Sequence, residues 1–172
     1  MRVLYALLIF SAIASQTTIY NAELTSFELG TRLPNYTDDI GMEYYNEADE
    51  EKRPVEALDT DLSTAYALDS GESIKMSLPK YKHRTIYPVE GFYLSNGDSE
   101  GKGMISQLEV KVRYKSFKRT WVFNMKEARE WQYLRFPEPF WLGRKGQLII
   151  SPLATFDGTG QGYITELAIQ LE

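Results

Sequence analysis

From residue 63 onward, apolar and polar residues exchange places at short intervals. Ile74, Met76 and Leu78 alternate with Ser73, Lys75 and Ser77, the period of two that marks a strand with one buried face. Pro79 closes that strand. Residues 85–95 are rich in β-branched and aromatic side chains and end at Asn96-Gly97, a turn pair. Leu108, Val110, Val112 and Tyr114 alternate with Glu109, Lys111, Arg113 and Lys115, which predicts a half-buried strand with a basic outer face. A turn over 115–118 leads to a returning strand over 119–123. Further strands are predicted over 131–136, 147–151 and 163–171, and one more, before this region, over 19–29. Residues 124–130 predict one helical turn. Residues 137–139 (Pro-Glu-Pro) and 157–162 predict loops. The count is roughly eight strands with no long amphipathic helix, and it predicts an all-β sandwich. Trp121, Trp131 and Trp141 recur at ten-residue spacing, but their flanking residues do not repeat with them, so no internal repeat is implied.

Ahead of this region the pattern differs. Residues 1–14 read as a charged start, a short apolar run and an Ala-x-Ala ending, the form of a cleaved signal peptide. The run is too short for a permanent membrane anchor. The expectation is therefore an exported protein, secreted, periplasmic or at the cell surface, with no transmembrane segment in the mature chain. Residues 15–53 hold the first strand and an acidic stretch at 34–53, read as a solvated loop. Residues 54–172 are expected to form the sandwich domain.

The chain has 172 residues, no cysteine and a single histidine, His83. Disulfides, cysteine nucleophiles and multi-histidine metal sites are excluded, and any serine triad would have to use His83. The net charge of -5 is unevenly distributed. Residues 1–101 carry 17 acids and 8 bases, residues 102–145 carry 4 and 11, and the remainder carries 3 acids, so -9 + 7 - 3 = -5. The acidic total argues against nucleic acid as a partner. The basic middle leaves a local contact with an anionic polysaccharide or phospholipid open.

The densest constellation is Ala57-Leu-Asp-Thr-Asp-Leu-Ser-Thr-Ala-Tyr66. Asp59, Asp61, Ser63 and Thr64 crowd oxygen donors into one turn. Such spacing suits a hard cation such as Ca²⁺ and equally suits a network of Asx and Ser/Thr turns without metal.

This run resembles the A-x-D-G-D-x-S-T-A-W signature of discoidin-like (coagulation factor 5/8 type C) domains of the galactose-binding-like superfamily. Gly71-Glu-Ser-Ile-Lys-Met-Ser-Leu78, Gly91-Phe-Tyr-Leu-Ser-Asn-Gly97, Tyr133-Leu-Arg-Phe-Pro-Glu-Pro139 and Ile164-Thr-Glu-Leu-Ala-Ile169 resemble later motifs of the same family in the same order. Within the superfamily the run is most similar to the bacterial NADase-type glycan-binding domain. The resemblance implies a jelly-roll β-sandwich. It also implies a structural Ca²⁺ held by Asp59, Asp61, Thr64 and Glu166. Two positions depart from the signature: Thr60 replaces a glycine and Tyr66 a tryptophan. In such domains the ligand sits in loops at one end of the sandwich. The loop-borne candidates here are Tyr81, His83, Arg84, Tyr87, Asn96, Asp98, Trp141, Phe156 and Asp157, aromatics to stack on a sugar and polar groups to fix its hydroxyls. The expected function is an exported, non-catalytic carbohydrate-binding or adhesion module of the cell envelope, with a glycan or cell-surface polysaccharide as partner. A structural module that docks onto an envelope protein is the alternative. A glycosidase would need two carboxylates across a cleft, and no such pair is recognisable.

Overall fold

The structure, a computed structural model, describes residues 18–28, 43–49, 53–59, 61–77, 86–143 and 145–171. Eleven strands among them form two sheets. Sheet one runs, edge to edge, β1 (Ile19–Asn21), β8 (Phe117–Asn124), β7 (Ile105–Tyr114), β10 (Gln147–Thr155), β5 (Ile74–Ser77) and β3 (Glu43–Asn46). Sheet two runs β2 (Glu23–Leu24), β9 (Gln132–Leu142), β6 (Tyr87–Asn96), β11 (Gly162–Leu171) and β4 (Tyr66–Leu68). Every pairing is antiparallel except β1 with β8. The all-β sandwich agrees with the sequence pattern.

The alternating residues make the core. Leu108, Val110 and Val112 of β7 and Leu148 and Ile150 of β10 are fully buried, as are Phe92 and Leu94 of β6 and Leu134 of β9. Each such side chain contributes about 1.5–3 kcal/mol by leaving water. One flank of the sandwich, where β8 meets β9, is closed by rings. Trp121 of β8 stacks on Phe136 of β9 at 4.9 Å and 26°, and Phe136 lies 5.2 Å from Phe140. The chain itself crosses this flank. β1 pairs with β8 in sheet one and β2 pairs with β9 in sheet two. Ala22, between them, is buried and donates its N–H to the Asn124 carbonyl at 2.9 Å.

Four expectations need correction. The sandwich begins before residue 54, because residues 19–24 and 43–46 supply strands to both sheets. Residues 43–46, read within an acidic loop, form edge strand β3. Tyr44 packs on the core there, and buried Asn46 donates from Nδ2 to the Tyr66 hydroxyl at 3.0 Å. The Pro137-Glu-Pro139 stretch is not a loop but part of β9. Its pairing with β6 skips from Gly91↔Arg135 to Val89↔Phe140, so the prolines sit in a bulge where no ladder N–H is required. Residues 124–130 form no helix. They wrap around the buried side chain of Gln132, which accepts from Lys126 N–H at 2.7 Å and donates to the Lys126 and Ala128 carbonyls, each at 3.0 Å. The Gln132 amide, not an intrahelical ladder, satisfies those backbone groups. The leader reading of residues 1–14 lies outside the described residues. Among the described residues no helix is long and apolar enough to cross a membrane.

Gln132→Met keeps the volume and removes three hydrogen bonds, leaving backbone groups buried without partners. We expect urea unfolding to show a loss of at least ~2 kcal/mol. An unchanged midpoint would show that the amide does not organise this segment.

Candidate functional site

β6 separates the predicted ligand contacts. Tyr87 starts it, opposite Leu142, and Pro88 faces Trp141. Asn96 ends it, opposite Ile164. Ten residues of strand span about 30 Å, so Tyr87 and Trp141 lie at one end of the sandwich. Asn96, Asp98, Phe156 and Asp157 lie at the other. No single small ligand reaches both sets. Tyr81, His83 and Arg84 lie outside the described residues.

At the Asn96 end the polar candidates hold the loops. Asn96 is fully buried, and its amide donates to the Ile105 carbonyl at 2.8 Å and accepts from the Ile105 N–H at 2.7 Å. Sheet two is thereby tied to sheet one. Asp98 Oδ1 accepts the N–H groups of Glu100 and Lys102 at 2.9 and 2.7 Å. Asp157 accepts from Thr159 N–H and hydroxyl through Oδ1, at 3.1 and 2.9 Å, and from Gly103 N–H through Oδ2 at 3.1 Å. These donors, the Thr159 N–H foremost and then the Thr155 and Thr159 hydroxyls, hold its carboxyl down to about 2. Phe156 is exposed beside it. Arg129, which sequence reasoning missed, donates to the Ser99 and Leu62 carbonyls at 2.8 and 3.3 Å and ties three loops together. No motif marked it; only the folded loops bring those carbonyls to its guanidinium. At the opposite end Tyr87 is half-buried on the core, whereas Trp141 points outward and is 59% exposed.

The Asp59–Thr64 turn lies beside β4, and β11 packs on the 3-10 helix Val55–Ala57 that precedes it. Asp59 Oδ1 accepts the Asp61 N–H at 2.8 Å, and its Oδ2 accepts from the Thr64 hydroxyl at 2.8 Å. Asp61 Oδ1 accepts both the Ser63 hydroxyl and N–H, at 2.7 and 2.9 Å. Those two bonds, the hydroxyl first, lower the Asp61 carboxyl below its ordinary range. Glu166 is buried in β11 at a register shift. Among the described residues no group of three or more Asp, Glu or His side chains is placed to hold a metal ion. A calcium cage needs roughly six to eight oxygens; here the Asp59 and Asp61 carboxylates accept hydrogen bonds from within the turn.

Side chains of mixed chemistry converge instead on the flank closed by Trp121. A hollow of about 760 Å³ opens there between β1, β8 and the outer face of sheet one. Its walls include Arg119, Thr120, Trp121, Glu138, Gln107 and Glu109, with Ile19 and Leu153 on its rim. The size falls within the range of small-ligand sites. Arg119 Nε lies 2.5 Å from Glu138 Oε1, and the guanidinium covers the Phe117 ring at 4.8 Å. Lys111 Nζ lies 2.5 Å from Glu109. Each carboxylate in the hollow is thus ion-paired, Glu138 with Arg119 inside it and Glu109 with Lys111 beyond its lining. Ile19 and Leu153 are 49% and 51% exposed. None of the sequence-predicted contacts lines this hollow. Its residues are ordinary strand positions, and only the pairing of β1 with β8 and the β9 bulge gather them.

No family model and no curated protein matches the chain. Solved structures do. One is the family 32 carbohydrate-binding module (CBM) of Clostridium perfringens NanJ in complex with galactose, at TM-score 0.53 and 15% identity, covering 74% of this chain and 92% of that one. Another is an F5/8 type C domain of a Bacteroides fragilis protein, at TM-score 0.55 and 12% identity, covering 87% of this chain and 95% of that one. A two-domain protein of unknown function from Bacteroides fragilis matches at TM-score 0.57 and 15% identity; the match covers 74% of this chain and only 41% of that one. The β-sandwich fold is the one these family 32 and F5/8 type C structures share, as the sequence motifs implied.

Two measurements test these assignments. The Asp157 carboxyl has a folded value of about 2, against ~3.9 for an unperturbed Asp. Its stabilising effect is therefore complete above pH ~4 and lost as pH falls toward 2. Asp157→Asn should lower the melting temperature at pH 7, with the gap to wild type closing between pH ~4 and ~2; a gap independent of pH would rule out the ionised carboxylate as the holder. Separately, EDTA should leave the melting temperature unchanged. A fall that added Ca²⁺ reverses would assign the ion to the Asp59–Thr64 turn.

Proposed function

We propose that the chain is an exported, non-catalytic carbohydrate-binding module of the cell envelope, and that the hollow on the β8–β9 flank receives a sugar. The observation that carries this reading is the convergence of Arg119, Glu138, Gln107 and Thr120 beside exposed Ile19 and Leu153. Sugar hydroxyls both donate and accept, and such a set offers donors and acceptors together. The apolar rim suits the C–H face of a pyranose. The fold shared with a module solved with galactose supports the same class of ligand. The ion-paired carboxylates suit hydroxyl binding, which supports a binding role over turnover. Export rests on the leader pattern of residues 1–14.

A second reading places the sugar at the other end, on Trp141, because a tryptophan 59% exposed on a sheet face offers a free stacking surface. Docking onto an envelope protein without a sugar is the remaining alternative. Retention on immobilised galactose, read with two variants, separates them. Thr120→Trp fills the hollow from an exposed position and should abolish retention, while Trp141→Ala should stay near wild type. The reverse result moves the sugar to Trp141. No retention of the wild-type protein on galactose or on a panel of neutral glycans, with one stoichiometric envelope partner, favours the docking module.

A further inference from the structure

The bases on the outer face of sheet one differ in their surroundings. Opposed residues form rows across the strands. One row holds Thr120, Lys111, Ile149 and Lys75. Both of its lysines face acids: Lys111 lies 2.5 Å from Glu109, and Lys75 lies 4.0 Å from Glu47. The next row, toward the β7–β8 turn, holds Lys118, Arg113, Gln147 and Ser77, with Glu43 only at the far edge, three strands from Arg113. Here Lys118 faces Arg113 directly, and among the described residues neither is in an ion pair. Lys115 in the turn and Lys145 just before β10 are exposed and likewise without an acid.

Residues directly opposed across an antiparallel pair hold their Cβ atoms roughly 5 Å apart, and like charges there destabilise the sheet. The fold therefore carries an uncompensated repulsion at Arg113 and Lys118. An anion bridging them would turn it into attraction through charge-assisted hydrogen bonds. The row also has a place relative to the hollow. Lys118 is two residues along β8 from Thr120, which lines the hollow, a step of about 7 Å. The carboxylates of the hollow are ion-paired, and the unpaired positive charge begins immediately beyond it.

We propose that Arg113 and Lys118, with Lys115 and Lys145 beside them, form a subsite for an acidic group of an extended polysaccharide whose neighbouring sugar occupies the hollow. The subsite rests on the carbohydrate reading above and adds the ligand's charge to it. Carboxylate or sulfate substituents fit the paired cations and the Gln147 amide. The Lys115-Ser116 turn itself presents no apolar side chain for insertion and Phe117 packs on the core, but Trp141 is exposed at this end, so binding to anionic vesicles is one of the outcomes of the test.

The test compares binding of the full chain to polygalacturonate and to neutral galactan at low ionic strength. Wild type should prefer polygalacturonate by roughly tenfold or more. The R113Q/K118Q variant should lose that preference while keeping galactan binding, and K126Q, at the far end of the sandwich, should behave as wild type. R113Q alone should raise the melting temperature, since it removes the opposed charges; a fall would mark Arg113 as structural and overturn the subsite. A preference that survives in R113Q/K118Q overturns it too, as does equal binding to anionic phospholipid vesicles or duplex DNA. Galactan binding without any preference for polygalacturonate overturns the subsite but leaves the carbohydrate reading intact. Polygalacturonate binding lost in R113Q/K118Q, with no galactan binding by any variant, supports the subsite and removes the neutral sugar from the hollow.

Discussion

The stack of Trp121 on Phe136 joins the two sheets at the flank where β8 faces β9, and the crossing at Ala22 reinforces it. Elsewhere the sandwich is held by aliphatic side chains meeting face to face across the core. At the β8–β9 flank a ring from each sheet meets the other and closes the core to water. The neighbouring features follow from that contact. Phe140 extends the stack into the second half of β9, and the bulge at the prolines allows that half to keep its register with β6. Arg119 and Glu138 flank the stack and pair over it. The hollow is the space left outside the rings, shaped by aromatics whose faces are turned inward.

The loop end beyond Asn96 is built on another principle. Its polar side chains satisfy backbone groups in place of regular structure. Asn96 substitutes for a missing inter-sheet rung, Asp98 and Asp157 gather turn amides, and Gln132 replaces a helical turn. Such buried or semi-buried amide contacts fix one loop geometry because each unmade bond would leave a desolvated group.

Much of the sandwich was legible in the sequence. Period-two alternation located the central strands, because a face that is fully buried enforces it. β3 and β4 were missed, because edge strands of three or four residues bury too little to impose a pattern. The span over 19–29 read as one strand but holds two in different sheets; a crossing at a single alanine has no sequence signature. The Pro-Glu-Pro run read as a loop because proline usually breaks a ladder, and only the bulge accommodates it. The site was less legible. The resemblance pointed to loop residues; of these, Asn96, Asp98 and Asp157 bond backbone groups of the loops, and the described candidates divide between ends about 30 Å apart. Arg119, Thr120 and Glu138 carry no motif, since their meeting depends on how β8 and β9 are placed at the flank.

β1 has a consequence for how the hollow behaves in time. Three parallel rungs and the Ala22 bond attach it, whereas β7 and β10 are joined along most of their length. Cooperative units with few rungs open first in native-state fluctuations. The wall carrying Ile19 is thus the part of the hollow that unfastens most readily, while the opposite wall, on β7 and β8, belongs to the central sheet. A ligand that leans on Ile19 gains part of its contact from a segment that must be held closed. Its residence time is therefore coupled to the fraying of the N-terminal strand as well as to the strength of its own hydrogen bonds.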